Sequence, residues 1–182
     1  VEYLEFAFGI LSQFPRRQLD DWHRLFMAEV IEPSLRPVAR DLVKKHQDAG
    51  DLVAIVTATN RFVTAPIAVA FGVENLIAAE AEMTADDNFT GRPTGTPPYG
   101  PGKVVNTKQW LSSLGKSLDD FERSHFYSDS QNDIPLLSLV GRAVAVNPDS
   151  ALRDEAKRRG WEIRDFRTGR KAARIGIPTA LA

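Results

Sequence analysis

The spacing of apolar residues changes near Gly50 and divides the chain into two parts. Before Gly50, apolar residues recur at helical spacing in residues 1–11, 18–30 and 35–47, which predicts three amphipathic helices. After it, residues 52–56 (LVAIV) form an unbroken apolar run, typical of a strand covered on both faces of a parallel sheet. The chain is therefore predicted to begin with helices and to continue as an α/β region.

Short apolar runs alternate with helical patterns from residue 52 to residue 166. Further strands are predicted at residues 76–79, 126–127, 143–146 and 161–163, and further helices at residues 62–71, 104–114, 134–140 and 151–159. Turn residues at 86–88 and 90–93 indicate a small hairpin, and the Pro- and Gly-rich residues 97–102 indicate a rigid loop. The alternation predicts a doubly wound, mostly parallel, Rossmann-like α/β sheet.

Composition and charge exclude several classes of protein. The 182 residues carry 23 Lys and Arg against 24 Asp and Glu, so there is no positive field to attract nucleic acid or an anionic membrane. No apolar run reaches the roughly 18 residues of a membrane span, and there is no cysteine for disulfides or thiol catalysis. We expect a cytoplasmic protein of about one domain that binds neither nucleic acid nor membrane. The composition leaves its oligomeric state open.

Residues 125–137 place a group of polar side chains at a predicted strand end. A short apolar run ends at Tyr127, and the sequence SDSQND (residues 128–133) follows, with carboxylates at Asp129 and Asp133. Ligands of open α/β sheets bind outside the carboxyl ends of the strands, and paired carboxylates there suit a hard cation such as Mg²⁺. Alternatively, Asp129 or Ser130 caps the next helix, with Asp133 in its first turn. Taken alone, this stretch leaves both interpretations equally open.

Thr57 and Lys103 favour the cation interpretation. Thr57 follows the strand predicted at residues 52–56, and Lys103 opens the helix predicted at residues 104–114. The carboxyl ends of parallel strands converge on one crevice, so side chains distant in sequence can meet there. A hydroxyl, an ammonium group and two carboxylates around Mg²⁺ can neutralise and hold a transferring phosphoryl group. The combination therefore predicts a phosphate site.

The order of these motifs resembles the haloacid dehalogenase superfamily of phosphohydrolases, over about residues 19–166. The resemblance is greatest to the phosphoserine-phosphatase-like branch, in which a helical cap is inserted after the first strand. It implies that residues 1–34 are the remainder of the cap and that residues 35–166 are the α/β core. Residues 167–182 are basic and lack periodicity, and we expect them to be a weakly ordered tail.

The resemblance also implies roles for individual residues. Asp129 would be a Mg²⁺ ligand, and Asp133 would steady the metal site and the lysine. The phosphate-binding residues would be Thr57, Ala58, Lys103 and Asn132, with Asn132 positioning the ligand or metal-bound water. The catalytic residues within this chain would thus be Thr57, Lys103 and Asp133, with Mg²⁺ as cofactor.

The chain departs from the family pattern at three places. The family's nucleophile lies in a D-x-D-x-T/V motif, and the adjacent pairs at residues 20–21, 86–87 and 119–120 lack that spacing. Residues 57–59 read TAT where phosphoserine phosphatases have Ser-Gly-Gly, and Val30 stands where they have a cap arginine. The last two departures disfavour phosphoserine as the substrate.

The absent motif belongs to the first strand of the family's sheet, between the strands that end at Thr57 and Asp129. We expect a segment upstream of Val1 to supply this strand, the nucleophile and the first cap helices, since two unpaired central edges would invite aggregation. The expected function is a Mg²⁺-dependent phosphomonoesterase that acts on a small phosphorylated metabolite through an aspartyl-phosphate. The fragment alone is expected to be inactive.

Three other functions share parts of this residue pattern. A phosphotransferase would use the same aspartyl-phosphate and pass the phosphoryl group to an alcohol. A phosphate- or metal-binding module would lack turnover altogether. A response-regulator receiver has its acids before its Thr and Lys, whereas here the acids come last, so the order disfavours a receiver.

Overall fold

The computed structural model describes residues 2–167. Its helices are α1 (Glu2–Leu11), α2 (Arg16–Phe26), α3 (Glu32–Ser34), α4 (Pro37–Asp48), α5 (Arg61–Ala70), α6 (Pro101–Ser113), α7 (Ile134–Leu137) and α8 (Ser150–Arg159). Its strands are β1 (Ala54–Asn60), β2 (Asn75–Met83), β3 (Phe89–Thr94), β4 (His125–Ser128), β5 (Arg142–Val146) and β6 (Glu162–Arg164). A π-helical segment, Met27–Ile31, joins α2 to α3. The predicted succession of helices followed by an α/β region is confirmed.

The strands form two three-stranded sheets, in the orders β1-β2-β3 and β4-β5-β6. Among the strands of the described residues, only β3 runs antiparallel to its neighbour; the other pairs are parallel. Within residues 2–167, β1 and β4 each have a hydrogen-bonded neighbour on one side only, and both line a cavity of about 810 Å³. The mostly parallel α/β fold is thus present. Its sheet is interrupted between β1 and β4, at the position of the strand that the sequence lacks.

The second sheet is built around β5, in which residues 143–146 form an unbroken apolar run. Val144 and Ala145 are completely buried, because β5 lies between β4 and β6 and packs against α7 and α8. The buried cluster on this sheet comprises Leu137, Ala143, Ala145, Leu152 and Ala156. This core holds β4, and hence the acidic motif that follows it, in place.

The N-terminal helices pack against the β2–β3 hairpin. Leu4 and Phe8 of α1 bury their side chains against Ala79 of β2. Arg16, at the start of α2, is bound to the hairpin turn, because its backbone N–H donates to Asn88 Oδ1 at 2.9 Å and its Nη1 lies 3.2 Å from Asp87 Oδ2. The structure thus shows where residues 2–34 sit, while their assignment as part of a cap stays a prediction.

Three local predictions differ from the structure. Thr57 lies inside β1 and not after it; the regular pairing of β1 with β2 nevertheless ends at Val56, where the register shifts. Residues 90–93 belong to β3 and not to a turn, because this segment pairs with β2 from Glu80 to Met83. The helix predicted at residues 134–140 stops at Leu137: the Ser138 amide and hydroxyl both donate to the Ile134 carbonyl, and the Leu139 amide then donates to the Leu136 carbonyl, three residues back, instead of continuing the α-helical pattern.

The tail predicted at residues 167–182 lies, apart from Arg167, outside the described residues. In the described part of the chain, none of the helices combines the length and the apolar character needed to cross a bilayer.

Glu162, on the edge strand β6, carries a pH-dependent part of the stability. Arg164 Nε lies 2.5 Å and Arg142 Nη2 lies 2.7 Å from its carboxylate. The hydrogen bonds from Arg164 and then Arg142 lower the pKa of Glu162 from 4.5 to about 2. Because the folded pKa is lowered, this stabilisation is fully present above pH 4.5 and is lost as the pH falls towards about 2.

We expect Glu162→Gln to reduce the acid sensitivity of folding. The midpoint of urea unfolding should fall less between about pH 5 and about pH 3 in the variant than in the wild type. Glu74→Gln is the matched control, because Glu74 is exposed and should retain the wild-type decline. The same decline in Glu162→Gln as in the wild type would contradict the assignment.

Candidate active site

Strand β4 carries the acidic motif to the edge of its sheet. The strand ends at Ser128, and a single 3₁₀ turn, Gln131–Asp133, precedes α7. Ser128 and Asp133 are buried, whereas Asp129 is exposed. Of the two carboxylates predicted to form the site, that of Asp133 is therefore enclosed by protein and that of Asp129 faces solvent.

Asp133 forms a buried ion pair with Lys103 of α6. Lys103 Nζ donates to Asp133 Oδ2 at 2.8 Å and lies 2.7 Å from Oδ1, although Oδ1 accepts no hydrogen bond of good geometry. The Ser128 hydroxyl also donates to Oδ2, at 2.6 Å. Only 8% of Lys103 and 5% of Asp133 is exposed. Since a buried charge without a partner is strongly unfavourable, the pair fixes the position of the lysine ammonium.

The loop of residues 97–102 determines where α6 begins. The Tyr99 amide donates to the Pro97 carbonyl at 2.8 Å, and the Gly102 amide donates to the Tyr99 carbonyl at 2.9 Å. Gly100 has φ 52° and ψ −124°, a conformation that side chains disfavour. A Cβ on Gly102 would lie 2.0 Å from the Pro97 carbonyl oxygen. These restraints place Lys103 in the first turn of α6.

Thr57 lies at the irregular end of β1. Its Oγ1 accepts a hydrogen bond from the Thr59 amide at 3.1 Å, so the hydroxyl proton stays available to another acceptor. Asn60 caps α5 by accepting from the Val63 amide. Within residues 2–167, Thr57 makes no hydrogen bond to Lys103 or Asp133, and Ala58 makes none to them either. The predicted roles of Thr57 and Ala58 in phosphate binding thus stay predictions.

The capping interpretation is realised by Ser130, not by Asp129. Ser130 Oγ accepts from the Asn132 amide at 3.2 Å. Asp129 contributes its backbone carbonyl, which accepts from the Asp149 amide at 2.9 Å. In the described part of the chain, the Asp129 carboxylate has no hydrogen-bond or ion-pair partner. The motif therefore combines a helix-type cap with an exposed, free carboxylate.

The donor set can hold part of a Mg²⁺ site. The described residues contain no group of three or more His, Cys, Asp or Glu side chains placed to hold a metal ion. Asp133 is occupied by Lys103, which leaves Asp129 as the free carboxylate of the motif. Because Mg²⁺ commonly uses one or two carboxylates together with water and phosphate oxygens, Asp129 suits it as one ligand of a larger site.

Two residues of this site were missed by sequence reasoning. The Tyr99 hydroxyl donates to Asn132 Oδ1 at 2.8 Å. Asp149 caps α8 through the Leu152 amide and accepts from the Gln131 amide at 2.8 Å, so it ties the β5–α8 loop to the acidic motif. The signal for Asp149 is its position before the predicted helix 151–159, as a cap residue at a strand end. The sequence shows no such signal for Tyr99.

A second polar cluster lies along β4, around the side chains of His125 and Tyr127. His46 Nδ1 lies 2.6 Å from Asp51 Oδ2, and its Nε2 lies 2.9 Å from the Tyr127 hydroxyl. Burial and, less strongly, the neighbouring His46 lower the pKa of His125. Burial raises the pKa of Tyr127. These groups line the same cavity between the sheets as Ser128 and Asp129.

The amino-acid sequence matches a known protein family and several known proteins. Residues 2–138 match the haloacid dehalogenase-like hydrolase family. A histidinol-phosphatase of Neisseria meningitidis serogroup C (strain 8013) is 41% identical over 165 residues, which cover 91% of this chain and 74% of that protein. Phosphoserine phosphatase SerB1 of Mycobacterium tuberculosis (strain ATCC 25618 / H37Rv) is 46% identical over 154 residues, which cover 85% of this chain but 49% of that protein. The chain thus spans about half the length of this mycobacterial relative.

Two solved structures share the fold of this chain. A protein of unknown function from Bordetella pertussis Tohama I has a TM-score of 0.88 and 51% identity, covering 90% of this chain and 73% of that one. A substrate-bound phosphoserine phosphatase complex has a TM-score of 0.54 at 19% identity, covering 69% and 56%, and supports the fold alone. The family predicted from the motif order is confirmed: the chain belongs to the haloacid dehalogenase-like hydrolases, in their phosphoserine-phosphatase-like branch.

Proposed function

We propose that this chain forms most of a Mg²⁺-dependent phosphomonoesterase that acts on a small phosphorylated metabolite. The observation that carries the proposal is the buried Lys103–Asp133 ion pair together with the free carboxylate of Asp129, four residues earlier in the same motif. A fixed cation and a free carboxylate in one motif suit a phosphate ester whose negative charge is shared between an ammonium group and a metal ion. Two relatives named histidinol-phosphatase and phosphoserine phosphatase fit this substrate class.

Each side chain would have a separate task in phosphate binding. Lys103 would contribute a positive charge held in place by Asp133, in a site with little water to weaken it. The free hydroxyl proton of Thr57 would donate to a phosphate oxygen, and Ala58 and Asn132 would complete the cradle. Mg²⁺, held in part by Asp129, would supply charge neutralisation at the phosphoryl oxygens.

The nucleophile is proposed to come from a segment outside these 182 residues. The sequence has no D-x-D-x-T/V motif. The cavity of about 810 Å³ lies between β1 and β4, each of which is paired on one side only within residues 2–167; Thr57 follows the regularly paired part of β1, and Asp129 follows β4. A strand placed there could pair with both edges and present an aspartate beside the phosphate. Its carboxylate would attack phosphorus and release the alcohol, and water would then cleave the acyl-phosphate.

A binding module without turnover is the second candidate, favoured by the absence of that motif from the chain. It would retain phosphate binding by Lys103 but hydrolyse no ester. A phosphotransferase would differ only in passing the phosphoryl group to an alcohol. We propose a small molecule as the partner in each case, in the cytoplasm and without nucleic acid or membrane.

The test is hydrolysis of p-nitrophenyl phosphate by the protein expressed from its complete reading frame. We expect turnover that EDTA abolishes and Mg²⁺ restores, because the phosphoryl charge is no longer neutralised when the metal is removed. Residues 1–182 alone should bind inorganic phosphate without hydrolysing the ester. Undiminished turnover in EDTA would contradict the metal requirement, and phosphate binding without turnover by the complete protein would favour the binding module.

A further inference from the structure

We propose that Tyr99 is a positioning residue whose hydroxyl orients the Asn132 carboxamide toward the bound phosphate. The inference rests on the proposed function, in which Asn132 contacts the phosphate. Tyr99 was not marked by any sequence motif, and its hydrogen bond to Asn132 joins segments 33 residues apart.

The hydrogen bonds define which way the Asn132 amide points. The Tyr99 hydroxyl donates to Oδ1 at 2.8 Å, and Nδ2 donates to Ser130 Oγ at 3.2 Å. An amide nitrogen carries two hydrogens, so one N–H of Nδ2 remains for an anion. The Tyr99 and Ser130 hydroxyls hold the carboxamide at both ends, so together they fix the plane in which this remaining N–H lies. Without the Tyr99 hydroxyl, the carboxamide is held at one end and can turn the N–H away from a bound phosphate.

The loop that carries Tyr99 is built to hold the hydroxyl in place. Its backbone is restrained by the Tyr99 and Gly102 hydrogen bonds and by the completely buried Pro98. The same loop leads into Lys103. The segment therefore makes two contacts with the acidic motif: the ion pair of Lys103 with Asp133 and the hydrogen bond of Tyr99 with Asn132. The two contacts hold two adjacent residues, Asp133 and Asn132.

The exposure of Tyr99 argues against a role in stability. Its side chain is 58% exposed and, among the described residues, its hydroxyl has Asn132 as its hydrogen-bond partner. An exposed hydrogen bond of this kind adds little to folding because water replaces it readily. Loss of the hydroxyl should therefore change the orientation of Asn132 and leave unfolding unchanged.

The experiment compares Tyr99→Phe with Tyr3→Phe in the protein expressed from its complete reading frame. Tyr3 is a matched control, since its phenol is 72% exposed on α1. We expect Tyr99→Phe to lower kcat/KM for p-nitrophenyl phosphate about 3- to 10-fold and to weaken inhibition by inorganic phosphate by a similar factor. The melting temperature should not change, and Tyr3→Phe should match the wild type. In an Asn132→Ala background, Tyr99→Phe should have no further effect.

The outcomes separate this inference from the proposed function. Equal losses from Tyr99→Phe in the wild-type and Asn132→Ala backgrounds would overturn the inference, because Tyr99 would then act independently of Asn132. Unchanged phosphate affinity and turnover in Tyr99→Phe would also overturn it. If the wild type binds phosphate but hydrolyses no ester, the phosphatase proposal fails, and the phosphate affinities of the same four variants still decide the role of Tyr99.

Discussion

Replacing Asp133 by alanine is expected to lower the free energy of unfolding by about 3 to 5 kcal/mol. The substitution would leave the Lys103 ammonium buried without a counter-charge and would remove the acceptor of the Ser128 hydroxyl. Urea unfolding of the purified protein measures the loss. Activity should fall as well, because the ammonium would no longer be held beside the phosphate.

Two further variants distinguish this mechanism from a general effect of losing a carboxylate. Asp154→Ala is the matched control, since Asp154 is exposed on α8, and it should change stability by less than about 0.5 kcal/mol. Lys103→Met combined with Asp133→Ala should recover part of the lost stability, because no buried charge would then lack a partner. A loss of under about 1 kcal/mol in Asp133→Ala would show that the pair is not buried as described.

Replacing Asp129 by asparagine is expected to lower kcat/KM for phosphate ester hydrolysis by about 100-fold or more. On the proposed function, Asp129 is a Mg²⁺ ligand, and asparagine keeps its shape but removes the negative charge. A catalytic metal contributes several kcal/mol of charge stabilisation, and each 1.36 kcal/mol corresponds to about a tenfold change in rate. The measurement is p-nitrophenyl phosphate hydrolysis by the complete protein across a range of Mg²⁺ concentrations.

Stability should be unaffected by Asp129→Asn, because the carboxylate is exposed and has no partner within the described residues. Asp86→Asn, in the exposed hairpin turn, is the control and should retain wild-type turnover and Mg²⁺ dependence. Equal rates for the wild type and Asp129→Asn, with and without Mg²⁺, would remove the metal role from Asp129.

Much of the fold was predictable because hydrophobic periodicity is a local signal. The apolar run at residues 143–146 predicted the buried strand β5, and the helix predicted at residues 151–159 is α8. Predictions failed where a contact between distant segments overrides local preference. Residues 90–93 have turn composition, but pairing with β2 makes them a strand.

The candidate site was predictable in part. The motif order predicted that Lys103 and Asp133 belong together, and the structure places them in contact. The sequence did not separate the tasks of the two aspartates, since both stand at a strand end in one polar run. Their difference arises from surroundings, because Ser128 and Lys103 enclose Asp133 while Asp129 faces solvent. The contacts of Asn132 with Tyr99 and of Gln131 with Asp149 likewise join loops distant in sequence.

The sequence by itself determined the succession of elements, the family, and the residue types that stand at the strand ends. These follow from periodicity and motif order along the chain. Only the tertiary structure decided which carboxylate is paired and which is free, which side chain orients Asn132, and that the sheet is divided by a cavity between β1 and β4. Those properties depend on packing between segments far apart in the chain, and no local pattern of residues encodes the distance between them.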